Sequence, residues 1–331
     1  MKEELAWQAF SVKDGKSFNE TALKIFRFQS ERNPVYRDFI MNLGIAPEKI
    51  SRIEEIPFLP VELFKTREVI LEGAKPERIF ESSRTTGVLP SRHFIHDTAI
   101  YEKSFTETFR IFYGDPSDYM IAALLPSYTE RSDSSLVYMA DSLIRQSGDA
   151  GSGFFMNGLH ELPARIEEAR GRGRKVLLLG VSFALLDMAE ECPLNLEGVT
   201  VMETGGMKGR REEITRNELH TILKSRFRVS TIHSEYGMTE LLSQAYSKEN
   251  GIFHAPPWMK VMIRDPHDPL AVSSEAPCAG GINIIDLANF YSCPFIATGD
   301  YGIIHHSGSF EITGRIDNSD IRGCSLMIAG V

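Results

Sequence analysis

Residues 175–191 read KVLLLGVSFALLDMAEE. The run KVLLLG is unbroken in its apolar character and too short for a helix, which suits a strand buried on both faces. Ala184–Glu191 then carries helical spacing. Working outward, the same alternation recurs. Met120–Leu125 is strand-like and ends at Pro126, and Ser134–Gln146 places Leu136, Met139, Ala140, Leu143 and Ile144 at helical spacing before Gly148. Val199–Met202 precedes a charged helix expected over Arg211–Arg226. Val229–Ile232 precedes a helix expected over Thr239–Tyr246. Strand and helix in alternation predict an α/β layered fold with a largely parallel sheet.

The flanks differ from this middle. Residues 1–75 read as helical: Ser17 with Glu20 has the form of a capping box, and Leu23, Phe26 and Ile40 mark apolar faces. Pro57 and Pro60 break that pattern. After Pro256 the apolar runs Met259–Ile263, Ile282–Asp286, Tyr301–His305 and Ser309–Thr313 are short and separated by Gly, Pro and Asp, which predicts a small antiparallel, β-rich part. No linker-like segment divides them. The expected organisation is one domain over 1–331, with a helical part at 1–75, an α/β part at 76–255 and a β-rich part at 256–331.

The bulk numbers exclude more than they select. With 36 Lys+Arg against 45 Asp+Glu the net charge is 36 − 45 = −9, so no surplus of cations exists to bind nucleic acid. The start, MKEELAWQAF, is acidic early and lacks an apolar core, unlike a secretory leader. The longest apolar stretch, Val176–Leu186, is interrupted by Gly180 and Ser182, far short of a membrane span. Cys192, Cys278, Cys293 and Cys324 are scattered, as free thiols in a reducing cytoplasm would be.

Four clusters carry chemistry. Glu81–Pro90, ESSRTTGVLP, packs Ser82, Ser83, Thr85 and Thr86 around Gly87. Hydroxyls and free backbone N–H groups on a tight turn suit phosphate oxygens, although a solvated turn has the same composition. His233–Leu241, HSEYGMTEL, sets Tyr236, Gly237, Thr239 and Glu240 at the end of an expected parallel strand, where α/β sheets bind ligands. That arrangement suits stacking a base, touching phosphate and holding Mg²⁺; a capped helix start is the plainer reading. Ala297–Gly302, ATGDYG, places Asp300 on a turn where it suits two sugar hydroxyls. Gly314–Cys324, GRIDNSDIRGC, is the fourth.

Their order is more specific than any one of them. SSxTTGxxP, then Thr204-Gly205-Gly206, then YGxTE, TGD and GRxD, resembles the adenylate-forming superfamily of acyl-CoA synthetases, peptide-synthetase adenylation domains and luciferases. IPFLPVELFK (56–65) and GRIDNSDIRGCSLM near the end are similar to the acyl-protein synthetase (LuxE-like) family. The resemblance implies a large N-terminal-type adenylation domain of layered α/β sheets with a small β-rich subdomain, lacking the usual C-terminal domain. It implies ATP and Mg²⁺, a carboxylic and specifically fatty acid substrate, and hand-over of the acyl group to a reductase or carrier protein. Residue by residue, it implies that Ser82, Ser83, Thr85, Thr86 and Gly87 cover the ATP phosphates. Gly205 and Gly206 lie against adenine, Tyr236 and Gly237 flank adenine and substrate carboxylate, Thr239 contacts phosphate and Glu240 holds Mg²⁺. Asp300 takes the ribose hydroxyls, Arg315 a ribose or phosphate oxygen, and Cys324 receives the acyl group, its thiolate favoured by Arg322.

Two departures stand out: Arg84 replaces a loop glycine, and Ser91 stands where many members have Lys. Other readings compete. CoA is an alternative thiol acceptor. Gly180-Val181-Ser182-Phe183-Ala184 resembles a hydrolase nucleophile elbow with Ala184 for the last Gly, against an N-cap role for Ser182. His254, His267, Cys278 and Cys293 offer zinc-type ligands at spacings of no known module. The basic run Arg170–Lys175 reads as a solvated helix end or as a contact for an acidic partner.

Overall fold

The apolar run forms a strand, β6 (Lys175–Val181), buried from Val176 onward. The computed structural model describes residues 2–83, 89–127, 129–191, 194–205 and 214–316. Leu177, Leu178 and Leu179 lose nearly all contact with water, and each such side chain contributes roughly 2 kcal/mol of transfer free energy. β6 is central in a six-stranded sheet. On one side lie β4 (Tyr119–Leu124) and β5 (Gly153–Phe154); on the other lie β7 (Thr200–Thr204), β8 (His233–Tyr236) and β9 (Ala245–Ser247). The first five are parallel and β9 returns antiparallel to β8, with Glu235 opposite Tyr246 and Tyr236 opposite Ala245.

Helices cover this sheet as the alternation predicts. Helix Ser135–Ser147 starts where the Ser134 side chain accepts from the Val137 amide and stops at Gly148 in the left-handed region. Helix Ser182–Glu191 follows β6 directly. Helix Arg216–Phe227 opens later than its charge pattern suggests, because Thr215 and Glu218 form a reciprocal capping box; residues 211–213 lie outside the described residues.

Three local expectations are corrected. The strand expected over Val229–Ile232 begins instead at His233, where pairing to β7 starts at Met202. The capping box of helix Gly15–Arg32 is formed by Asp14 and Ser17, whose amide donates to the Asp14 carboxylate at 2.8 Å, and not by Ser17 and Glu20. The helix expected over Thr239–Tyr246 is a turn followed by β9. The amides of Leu242 and Ser243 donate to the buried Asp286 carboxylate at 2.8 and 2.9 Å, so they cannot join a helical ladder.

The β-rich part is a second six-stranded sheet. β10 (Met259–Arg264), β12 (Cys278–Asp286) and β13 (Phe295–Ile304) run antiparallel, with β11 (Val272–Ser273) on the β10 edge. The far edge of β13 takes two strands: β14 (Phe310–Arg315) antiparallel and, from the helical part, β1 (Leu59–Pro60) parallel. The helical part is therefore stitched to this sheet, and the Tyr36 hydroxyl and the Gln29 and Asn33 amides donate to carbonyls of Pro57, Phe290 and Ser292. A separate hairpin, β2 (Arg78–Glu81) and β3 (Arg92–Ile95), carries the hydroxyl-rich loop. Among the described residues no helix is long and apolar enough to cross a membrane.

Candidate active site

The carboxyl ends of β7 and β8 meet the β2–β3 hairpin and the β13–β14 pair. Tyr236 is the last residue of β8 and nearly buried. Its ring meets Phe253 and Phe310 edge-on at centroid distances of 5.8 and 5.7 Å, and its hydroxyl donates to Asp300 Oδ2 at 2.7 Å. Burial first, and the Asp300 carboxylate second, hold this phenol well above the usual tyrosine range, so it remains a donor. Asp300 faces Arg315 across the β13–β14 ladder, and Arg315 Nε lies 3.7 Å from Oδ1 with its side chain otherwise in water. Two residues expected at a ribose thus meet in one register position.

Gly237 follows Tyr236. A Cβ there would collide with Oε1 of Glu235, whose carboxylate folds back beside the Gly237 backbone and accepts from the Thr204 hydroxyl. The chain then turns through Thr239 and Glu240. Glu240 is buried, and burial raises its pKa; the Ser91 hydroxyl and the nearby Lys65 ammonium oppose that rise, while Asp300 adds to it. The Glu240 carboxylate and Asp300 therefore share one electrostatic site.

Ser91 joins this turn to the hairpin. Its amide donates to Ser82 Oγ at 2.9 Å, and the Ser82 amide donates to the Ser91 carbonyl at 3.0 Å. Ser82 clasps the neck of the loop, and Ser83 is exposed beside it. Thr85, Thr86 and Gly87 lie outside the described residues, as do Arg84, Gly206, Arg322 and Cys324.

Gly205 follows β7 with a φ of 59°, in the region that favours glycine. Its carbonyl accepts from Ser182 Oγ at 3.1 Å, and Glu203 Oε2 offers the same hydroxyl a second acceptor at 3.2 Å. Glu203 also faces Arg216 at 3.4 Å and His220 at 3.6 Å. The order is thus Ser–Glu–His, with no histidine on the serine. Ser182 gives its proton to a carboxylate or a carbonyl, opposite to what a nucleophile elbow needs. It braces the Gly205 turn.

The zinc reading finds no geometry, because among the described residues no three His, Cys, Asp or Glu side chains converge. Cys293 is fully buried and its thiol is pushed up to about 12, as in an inert core cysteine. Mg²⁺ makes a different demand, since it binds through one or two carboxylates plus phosphate and water oxygens. A single carboxylate at Glu240 beside Ser91 of the β2–β3 hairpin fits that donor set. The Arg170–Lys175 run is internally paired: Arg172 and Arg174 hold the Asp149 carboxylate at 2.8 and 3.1 Å, Arg170 holds Glu167 and Lys175 holds Asp118.

Several site residues had no sequence signal. Lys65 sits in a short helix, Leu63–Thr66, and acts on Glu240 from the far end of the chain. The Arg264 fork donates to Ile282 O at 2.7 Å, Asn283 Oδ1 at 2.9 Å and the Thr298 carbonyl, fixing β13 two residues before Asp300. His93 and Asn289 grip the Thr239–Glu240 turn from below.

No family model and no curated protein matches the chain. Solved structures do. ATP-bound MatB from Rhodopseudomonas palustris superposes with a TM-score of 0.52 at 19% identity, over 74% of this chain and 49% of that one. The luciferase-like enzyme of the nonluminescent Zophobas morio mealworm matches with a TM-score of 0.50 at 15% identity, over 72% and 57%. The amide bond synthetase McbA from Marinactinospora thermotolerans gives 0.50 at 15%, over 72% and 49%. The chain therefore shares the α/β fold of the part of these enzymes that it covers, as expected for an N-terminal-type adenylation domain. The chain spans about half the length of most of these structures.

Proposed function

We propose that the protein activates a carboxylic acid with ATP and passes the acyl group to a thiol. The observation that carries this reading is the meeting of Glu240, the Tyr236–Asp300–Arg315 group and the clasped phosphate-loop hairpin at the strand ends of an adenylation fold. In the first step a carboxylate oxygen of the acid attacks the α-phosphorus of ATP, forming acyl-adenylate as pyrophosphate leaves. Asp300 accepts from the ribose hydroxyls while Tyr236, its ring against Phe253 and Phe310 and its hydroxyl on Asp300, flanks adenine and that carboxylate. The loop hydroxyls of Ser82, Ser83, Thr85 and Thr86 donate to phosphate oxygens over Gly87, and Arg315 supplies an exposed fork to a ribose or phosphate oxygen. Glu240 would hold Mg²⁺, which when bound would neutralise charge on the phosphate chain. The family resemblance places Gly205, Gly206 and Gly237 beside the adenine.

In the second step the thiolate of Cys324 attacks the acyl carbonyl, forming a thioester and releasing AMP. This makes the protein an AMP-forming acid–thiol ligase of the acyl-protein synthetase type, acting in a reducing cytoplasm on a fatty acid for a reductase or carrier protein. The support for the finer reading is the motif order and the IPFLPVELFK and GRIDNSDIRGCSLM segments. Incubation of the full chain with Mg·ATP and a radiolabelled fatty acid is expected to leave hydroxylamine-sensitive label on the protein. Cys324→Ser is expected to abolish it, and label retained in that variant would remove Cys324 as acceptor.

A further inference from the structure

The Gly237–Gln244 segment links β8 to β9 and makes few backbone hydrogen bonds of its own; Leu241 N to Met238 O at 3.1 Å is one. Side chains from distant elements hold it instead. Asp286 takes the Leu242 and Ser243 amides and the Ser243 hydroxyl. Asn289 donates its amide to Glu240 O at 2.8 Å and to Cys293 O at 3.0 Å, which leaves its Oδ1 as an acceptor. His93 lies between, fully buried, with Nδ1 2.8 Å from Thr239 O and Nε2 2.9 Å from Asn289 Oδ1.

Thr239 O is thus met by the His93 ring and Glu240 O accepts from Asn289, so two neighbouring side chains hold two consecutive carbonyls. His93 also stands on β3, two residues beyond Ser91, whose side chain acts on the Glu240 carboxyl. The Phe64 ring packs edge-on against the imidazole at 5.8 Å, one residue from Lys65. One side chain therefore touches the returning arm of the phosphate hairpin, the turn that presents Glu240 and the helix that carries Lys65.

We infer that His93 is a positioning residue for nucleotide activation: its Nδ1–H, donated to Thr239 O, locks the Glu240 turn to the phosphate-loop hairpin so that both meet Mg·ATP in one fixed geometry. The inference rests on the proposed ATP chemistry. A neutral ring has one N–H for two acceptors, and this allows the two contacts to be separated by isosteres. Asn at 93 reproduces a donor at the Nδ1 position, and Gln reproduces one at the Nε2 position.

The experiment compares wild type, His93→Asn, His93→Gln and His93→Ala in three measurements: Mg·ATP binding by calorimetry, amide exchange of residues 237–244 without nucleotide, and thermal midpoint. Losing one oriented hydrogen bond is expected to weaken Mg·ATP binding and speed segment exchange by about tenfold in His93→Ala and His93→Gln. His93→Asn is expected to stay within about threefold of wild type on both. If His93→Asn is no better than His93→Gln, or if all variants bind and exchange like wild type, the inference is overturned. If binding follows only thermal midpoint, His93 is a packing residue and the inference is equally overturned. Should His93→Ala not fold, the Asn–Gln pair carries the comparison. Wild-type protein that is folded yet binds no Mg·ATP overturns the ATP chemistry itself and this inference with it; wild-type binding with indifferent variants overturns only the role of His93.

Discussion

Burial of Glu240 and its proposed service to a cation pull in opposite directions. Burial raises its pKa, so the folded state disfavours the carboxylate and stability is lost as pH rises through the folded value. A bound Mg²⁺ needs the carboxylate. Glu240→Gln is therefore expected to keep or raise the thermal midpoint at pH 7 while lowering acid-dependent pyrophosphate exchange by about a hundredfold. Exchange unchanged in this variant removes Glu240 from the site. His93 gives the opposite pH sign. Burial pushes its pKa down to about 4 from the ordinary 6.5 of histidine, so the unfolded chain binds the extra proton between those values and stability falls as pH drops through that window. The full effect is about 3 kcal/mol for a fully buried ring. His93→Asn has no such proton to bind. Its denaturation free energy is expected to fall less than that of wild type between pH 7 and 4, and parallel profiles would contradict this assignment. At this scale the sequence exposed Tyr236, Asp300 and Glu240 through their motifs. It concealed His93 because its partner Thr239 lies 146 positions away.

Among the elements, β4 and β6 were legible because burial on both faces leaves an unbroken apolar run. The segment after β8 was not. Thr239–Tyr246 has the composition of a helix start, but Asp286, more than forty positions on, takes its amides and draws it into a turn. No local rule contains that carboxylate. Asp286 is fully buried, and burial raises its pKa against the hydrogen bonds from Ser243 and Leu242. Truncating it leaves two backbone amides and a hydroxyl unmet, so Asp286→Ala is expected to cost about 3 kcal/mol in chemical denaturation. The variant is also expected to speed amide exchange across 241–244. A loss below about 1 kcal/mol would show that solvent or a neighbour replaces it. The hairpin neck shows the reverse case: Ser82 was legible as a loop residue, but its clasp on Ser91 needed the β2–β3 pairing to appear.

For the whole molecule, a net charge of −9 sets the problem that the site solves. In the proposed reaction a polyanion enters an anionic protein, so its charge has to be met locally. Lys65 comes from the helical part, Arg264 from β10 and Arg315 from β14, and all lie around the Glu240–Asp300 pair. The helical part that carries Lys65 is stitched to the second sheet through β1, a join that a reading of 1–75 as a helical run did not anticipate. The α/β layering was legible from periodicity; the joining of three distant segments at one site was not, because it depends on packing between them. Acid activation by ATP is the step on which the proposed reaction turns. Full-length protein supplied with Mg·ATP, labelled pyrophosphate and a panel of aliphatic and aryl acids is expected to return label into ATP with at least one acid and only when Mg²⁺ is present. Folded protein that exchanges no label with any acid would contradict it.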